Sequence, residues 1–335
     1  APVSALTIND NQLKVTVTPG DAVGKPATVV IDPAVPYYTL DVSVTTGEAK
    51  SEGAVGMDRA LGSKVLRVFG AIAVDAKPDV EEVAIEDPAE YAAVALKGML
   101  EARGIVVTGR ARAEHVLSSN TKGFIQESHE AIPQLFIPLV GGLSYGRGGG
   151  PSGCIEDCPK TGRMLKQLAS HRSANLGDDV VVTNKVSQNL HAELFLHQLG
   201  ATVVNNGSTA QGARVVRAFL LNAGIDKDDF VFFDGSGLSG HDLVAPRATV
   251  RLLQYATTQP WFAEWKASLP VGGEDGSLAE RFAEAPLAGH VIAKTGTLGE
   301  ARALSGYLSC ASGRTVIFSI MVGNHMPGTT ADRDV

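Results

Sequence analysis

The sequence predicts an α/β (α+β) chain with a β-rich first part, followed by helices lying on an antiparallel sheet. Three observations carry this. Up to about residue 80, several short runs alternate apolar and polar residues with period two. From about residue 165, helix-like and strand-like segments alternate. The last stretch holds three strand-like runs joined by short Gly-containing turns, as in an antiparallel sheet.

The elements follow in order. Leu13-Lys-Val-Thr-Val-Thr alternates as a half-buried strand does, and 27–31, 38–44 and 64–68 read similarly. Asp87-Pro88-Ala89-Glu90 is a helix start: Asp caps, Pro suits the first turn, and Glu three residues on can close a capping box. Tyr91, Val94, Ala95, Met99 and Leu100 give that helix an apolar face ending near Gly104, and a strand is expected from Ile105. The Gly-rich stretch 141–153 has few side chains with which to build a core and reads as a surface loop. It lacks the G-x4-G-K-[ST] pattern of a phosphate cradle. A boundary is expected near residue 165, making 1–165 a β-rich region of one or two subdomains and 166–335 the second domain. Helices are expected over 184–199, 210–223 and 247–256, and strands over 289–293, 303–308 and 314–322.

The chain has 335 residues, 44% hydrophobic and 19% charged, enough to bury a core. A net charge of -7 argues against a nucleic-acid partner, because phosphate binding needs a basic surface. No run reaches the length of a membrane span, and no secretion signal opens at Ala1. Cys154 and Cys158 form a C-x3-C pair, read as a local disulfide or as two free loop thiols. No second Cys/His pair completes a zinc set, so neither metal nor cofactor is expected. Cys310 falls on an expected strand.

The chemistry concentrates in two short motifs. In His290-Val-Ile-Ala-Lys294-Thr295-Gly296-Thr297, an apolar strand ends in a lysine, a hydroxyl and a glycine. The lysine sets a cation beside a cleft, where it can attract a carboxylate and shift neighbouring proton affinities. Thr295 adds a hydroxyl for the same carboxylate, and Gly296 lets a ligand approach without a Cβ in the way. The Thr297 N–H can then face a developing oxyanion. The plain alternative is a strand followed by a lysine-containing turn. Upstream, Ser187-Gln188-Asn189 opens an expected helix. Ser187 can relay a proton and Asn189 can hydrogen-bond a substrate amide, or Ser187 or Asn184 simply caps the helix. K-T-G with S-x-N in this order makes two of the three motifs of penicillin-binding proteins and serine β-lactamases; the third, S-x-x-K, carries the nucleophile.

The chain resembles the S13 peptidase family of low-molecular-mass (class C) penicillin-binding proteins. The resemblance rests on Leu168-Ala-Ser-His-Arg-Ser, the run Asn184 to Leu194, Asp234-Gly-Ser-Gly-Leu-Ser, Leu243-Val-Ala-Pro-Arg-Ala, and Lys294-Thr-Gly-Thr with Ala303-Leu-Ser-Gly-Tyr-Leu. Ala1–Gly20 and Glu86–Gly109 resemble the family's inserted domains. The resemblance implies a β-lactamase-like transpeptidase domain carrying β-rich insertions. It implies a D-alanyl-D-alanine carboxypeptidase or endopeptidase that works outside the cytoplasm, on peptidoglycan stem peptides, through a serine acyl-enzyme that β-lactams also form. Ser187, Asn189 and Lys294 would take catalytic roles, and Thr295, Gly296 and Thr297 would bind substrate. The family places S-x-x-K before its insertions, so the nucleophile is expected upstream of Ala1, and a further helix after the last strand. Both ends thus read as shortened. The chain's own S-x-x-K, Ser119-Asn-Thr-Lys122, sits after the insertion and reads as a polar loop.

Two rival readings are a β-lactamase, against which the β-rich first part argues, and a non-catalytic peptidoglycan-binding protein that kept the cleft. Oligomeric state is left open. Among lesser candidates, His191 and His197 lie six apart on one helix and so do not share a face as ligands. Asp234 and Ser236 sit in a turn-like Gly-Ser-Gly that is not the G-x-S-x-G elbow. Arg247 is read either as a cleft residue or as a loop cap.

Overall fold

A computed structural model describes residues 2–115, 121–132, 169–324 and 326. Ser119, Cys154, Cys158 and the Gly-rich stretch lie outside the described residues. The chain divides into two compact units, Ala1–Asn120 and Thr121–Val335.

The first unit is built on two three-stranded sheets. Strands β1 (Gln12–Thr18), β2 (Thr28–Asp32) and β6 (Asp79–Ala84) form one, with β1 central and antiparallel to both neighbours. Strands β3 (Thr39–Gly47), β4 (Val55–Asp58) and β5 (Val65–Ala73) form the other, with β5 parallel to β3 and antiparallel to β4. Period-two alternation places Val15 and Val17 of β1 in one core with Val44 of β3 and Leu66 and Val68 of β5, all nearly inaccessible to solvent. Burying such side chains contributes about 1.5–3 kcal/mol each. A second cluster joins Leu13, Tyr37 and Ile85 to Tyr91 of helix α1 (Pro88–Glu101). Asp87 caps α1 by accepting from Glu90 N at 3.0 Å, as expected. The Glu90 side chain turns instead to Lys64, so the box stays half made. No strand forms at Ile105: Ile105 and Val106 are exposed and join no sheet. Strands β4 and β6 lie outside the expected elements. The first is four residues with a glycine, and the second carries carboxylates on neighbouring positions, so neither shows a clean period.

The second unit begins earlier than the expected boundary near 165. Helix α2 (Phe124–Ser128) belongs to it, because buried Glu127 accepts from Gln211 Nε2 at 2.7 Å and Arg214 Nε donates to Glu130 O at 2.9 Å. Gln211 and Arg214 lie on helix α5 (Thr209–Asn222), which packs on α4 (Asn189–Val204). The helix expected over 184–199 is two helices. Helix α3 (Leu176–Lys185) ends just before Ser187, whose φ of 61° breaks the ladder, and α4 starts at Asn189. Strands β7 (Phe230–Val231) and β8 (Leu243–Val244) form a two-stranded ladder. Strands β9 (Val291–Leu298), β10 (Ala301–Ser309) and β11 (Thr315–Val322) form the expected antiparallel meander, ordered β11-β10-β9. Cys310 lies one residue past β10, in the turn to β11.

Helix α6 (Pro246–Ala256) and helix α7 (Phe262–Ser268) cover one sheet face. There Tyr307 packs with Leu253, Leu269 and Phe262, and its hydroxyl donates to Leu253 O at 2.9 Å. On the other face Val291 and Ala293 pack with Leu278, Leu304 and Phe318. Gly306 lets the strands close. A Cβ there would lie 2.2 Å from Ile292 O and 2.5 Å from Ala293 Cα.

Candidate active site

The site forms where the α3–α4 break meets the edge strand β9. The break is sharp because Ser187 takes a left-handed conformation that L-residues avoid. Neither expected cap is used. Gln188 caps α4 by accepting from Leu190 N at 3.2 Å, and Asn184 donates to Ser268 Oγ at 2.7 Å. Ser187 is thereby free of a capping duty, and its hydroxyl accepts from Lys294 Nζ at 2.8 Å. The sequence separation of 107 residues makes this a tertiary contact between the two motifs. Asn189 is exposed at the first position of α4.

Lys294 also donates to Thr295 O at 2.8 Å. Burial holds its pKa below the ordinary lysine range. A larger fraction of its amine is therefore neutral near pH 7 than in a solvated lysine, which suits it to exchanging a proton with the Ser187 hydroxyl.

Strand alternation sends Lys294 and Thr295 to opposite faces of β9. Thr295, Gly296 and Thr297 line a cavity of about 1080 Å³, together with Ser277, Arg302 and Leu304. Among the described residues β9 is the sheet's edge, and only its first half is covered. Ala293 N donates away from β10 to Pro270 O at 3.0 Å, and Gly272 N donates to Val291 O at 2.8 Å. Period two then sets the Thr295 and Thr297 N–H groups on that same outer edge. Nothing among the described residues requires glycine at 296. Its φ is not left-handed, and a Cβ would meet only Ala303 Cβ at 3.4 Å, an ordinary contact. Without a side chain at 296, that part of the strand stays open among the described residues.

Other candidates take structural places. Arg247 is not a cleft residue. Its Nε donates to both carboxylate oxygens of buried Asp229, at 2.9 and 2.8 Å, and this pair holds Asp229 below the usual carboxylate range. Asp234 closes a turn by accepting from Gly237 N at 2.7 Å and Ser239 N at 2.6 Å. Ser236 Oγ donates to Glu193 Oε1 at 2.7 Å. His197 packs against the segment before α5 through Gly207 O and Thr209 Oγ1. Lys122, of the Ser119–Lys122 run, pairs with Glu130. No cluster of three or more metal-ligating side chains occurs among the described residues.

Three residues near the site carried no sequence signal. Lys185 Nζ donates to Leu269 O at 2.6 Å and to Asp275 Oδ2 at 2.6 Å, pinning the end of α3 to the loop before β9. Burial raises the Asp275 pKa, but Lys185 and the Val271 N–H outweigh it and hold the carboxyl below its ordinary value. Ser277, two residues on, meets Thr295 Oγ1 at 2.7 Å.

Comparison with known proteins bears on the family and the fold. The sequence pattern of the D-Ala-D-Ala carboxypeptidase 3 (S13) family matches residues 1–135 and 154–335, leaving out the whole Gly-rich stretch 141–153. A D-alanyl-D-alanine carboxypeptidase of Actinomadura sp. (strain R39) is 31% identical over 345 residues, covering 100% of this chain and 56% of that protein. A penicillin-sensitive carboxypeptidase A of Dictyostelium discoideum is 23% identical over 98% of this chain and 56% of its own length. The chain thus spans about half the length of these curated relatives. Penicillin binding protein 4 of Haemophilus influenzae, solved with a β-lactam, shares the fold: TM-score 0.71 at 21% identity, over 98% of this chain and 66% of that one. With both stretches of the family pattern present in order, this chain belongs to the D-Ala-D-Ala carboxypeptidase 3 (S13) family.

Proposed function

We propose that this chain supplies part of the catalytic site of a serine D-alanyl-D-alanine carboxypeptidase or endopeptidase. It acts outside the cytoplasm on peptidoglycan stem peptides ending in D-Ala-D-Ala, and β-lactams acylate it. The observation that carries the reading is the 2.8 Å bond between Lys294 Nζ and Ser187 Oγ, which joins the two motifs at the edge strand. The named activities of the S13 relatives support it.

The roles follow from chemistry. A serine acyl-enzyme needs a nucleophile, a proton path to the leaving amine, oxyanion donors and a grip on the substrate. The nucleophile is the serine of an S-x-x-K motif. Ser187 and Lys294, whose pKa burial lowers, form the proton path to the leaving D-alanine nitrogen. Asn189, exposed and two residues from Ser187, hydrogen-bonds the substrate backbone. The Thr297 N–H on the outer edge of β9 is an oxyanion donor, and the Thr295 hydroxyl and the lysine field hold the terminal carboxylate.

The test compares D-alanine release and benzylpenicillin acylation in the protein with its S-x-x-K region intact and in the Lys294→Ala variant of that protein. A loss of at least about a hundredfold in both is expected, the usual scale for removing a proton carrier. Near-unaltered rates would sink the assignment. Intact mass of the 335-residue chain after benzylpenicillin, followed by peptide mapping, locates the nucleophile. An adduct on Ser119 would overturn the reading of that run as a loop.

A further inference from the structure

Thr295 has a partner outside the sequence motifs. Ser277 Oγ lies 2.7 Å from Thr295 Oγ1, and both residues line the cavity beside Gly296. We propose that Ser277 is a positioning residue for ligand carboxylates, its hydroxyl donating to Thr295 so that the Thr295 proton is directed into the cavity.

Proton counting carries the argument. Each hydroxyl has one proton to donate. An ionised carboxylate only accepts, so a carboxylate bound at Thr295 takes the single Thr295 proton. The bond between the two hydroxyls must then be donated by Ser277. A bond donated in the opposite sense would present lone pairs to a carboxylate. The Ser277-to-Thr295-to-carboxylate chain also polarises in one direction, which strengthens its last link.

The surrounding structure fixes Ser277. It lies in a single 3-10 turn, Gly276–Leu278, whose Leu278 is fully buried against Val291 and Ala293 of β9. On its other side, Asp275 is held by Lys185 and by the Val271 N–H at 2.9 Å. Gly276 passes so close to α3 that a Cβ there would lie 2.6 Å from Lys185 O. Lys185 is two residues from Ser187, so one clamp sets both the Ser187 turn and the Thr295 partner. The inference deepens the reading above and rests on it.

The experiment is an NMR titration of the protein with N-acetyl-D-alanyl-D-alanine and with its C-terminal amide. An amide can donate as well as accept, so it pairs with Thr295 in either sense. Ser277→Ala is expected to weaken binding of the carboxylate ligand by about tenfold, the scale of one hydrogen bond to a charged group. The amide should lose less than about twofold, and Ser277→Thr should restore the carboxylate preference. Equal losses for both ligands, or an unaltered preference in Ser277→Ala, would overturn the role of Ser277 alone. If the unaltered protein shows no carboxylate preference, or Lys294→Ala binds as well as the parent, the reading of the site falls and this inference with it.

Discussion

Two glycines of one sheet separate what the fold needs from what a ligand needs. Gly306 of β10 faces Ala293 of β9, and an added Cβ would lie 2.2 Å from Ile292 O and 2.6 Å from Ala293 Cβ. Carbon contacts rest near ~3.5–4.0 Å, so Gly306→Ala forces β9 outward by on the order of an ångström. The opposing atoms are mostly backbone and cannot rotate away. Overpacking of this kind costs about 2–3 kcal/mol. For a unit of this size that lowers Tm by about 5–10 °C. At Gly296 a Cβ meets only Ala303 Cβ at 3.4 Å. Gly296→Ala should therefore keep stability within about 0.5 kcal/mol. It should nonetheless weaken D-Ala-D-Ala peptide binding by about tenfold or more, because the methyl stands where a ligand approaches β9. Differential scanning calorimetry and a ligand titration on both variants decide the matter. Equal melting losses in the two would refute the argument, as would unimpaired binding by Gly296→Ala.

Other perturbations test separate parts of the second unit. Tyr307→Phe removes a buried hydroxyl whose acceptor, Leu253 O, also takes the Thr257 N–H at 3.3 Å, so the loss should be only about 1 kcal/mol by urea denaturation. Asp242 is pushed up to about 7 by burial first and then by Asp234 and Glu193, against the Phe233 N–H. Unfolded Asp titrates near ~3.9, so the folded chain holds an extra proton between about pH 4 and 7 and stability falls as pH rises through that window. Asp242→Asn should remove this slope and gain about 1 kcal/mol at pH 8, read from urea midpoints; a parallel pH profile in the variant would contradict it. Ser187→Gly should be more stable than Ser187→Ala by about 1 kcal/mol, because only glycine relaxes the φ of 61°; both lose the bond to Lys294.

Much of the fold was legible because its period is plain. The strands near residues 13, 28, 39 and 65 and the C-terminal meander alternate cleanly, and Asp87-Pro88 announces α1. What escaped depended on tertiary contact. The start of α4 was legible in Ser187-Gln188-Asn189, but the separate helix α3 before it was not, because the expected helix ran on unbroken from 184. Ile105-Val-Val-Thr has strand composition but, among the described residues, no neighbouring strand to pair with, so propensity alone did not decide it. Lys294 and Ser187 could be named from their motifs, and their contact required only the fold. Lys185, Asp275 and Ser277 could not, because their partners lie far away in the chain and no short spacing encodes them.

The local rules that the second unit breaks converge on one place. Ser187 sits at positive φ without being glycine. Lys294 is drawn out of water without a carboxylate partner among the described residues, and burial depresses its pKa. Gly296 forgoes a side chain that the strand could accommodate, although a glycine weakens a strand. Each is a small instability when taken singly, of order ~1 kcal/mol. Packing does not ask for any of the three. A ligand site asks for all of them: a sharp turn that aims a hydroxyl, an amine able to give up its proton, and an open strand edge. Sequences otherwise agree with their folds at every level, so clustered disagreements of this kind single out a candidate site. Here they fall at the junction of the two motifs, on β9, the edge strand of its sheet among the described residues.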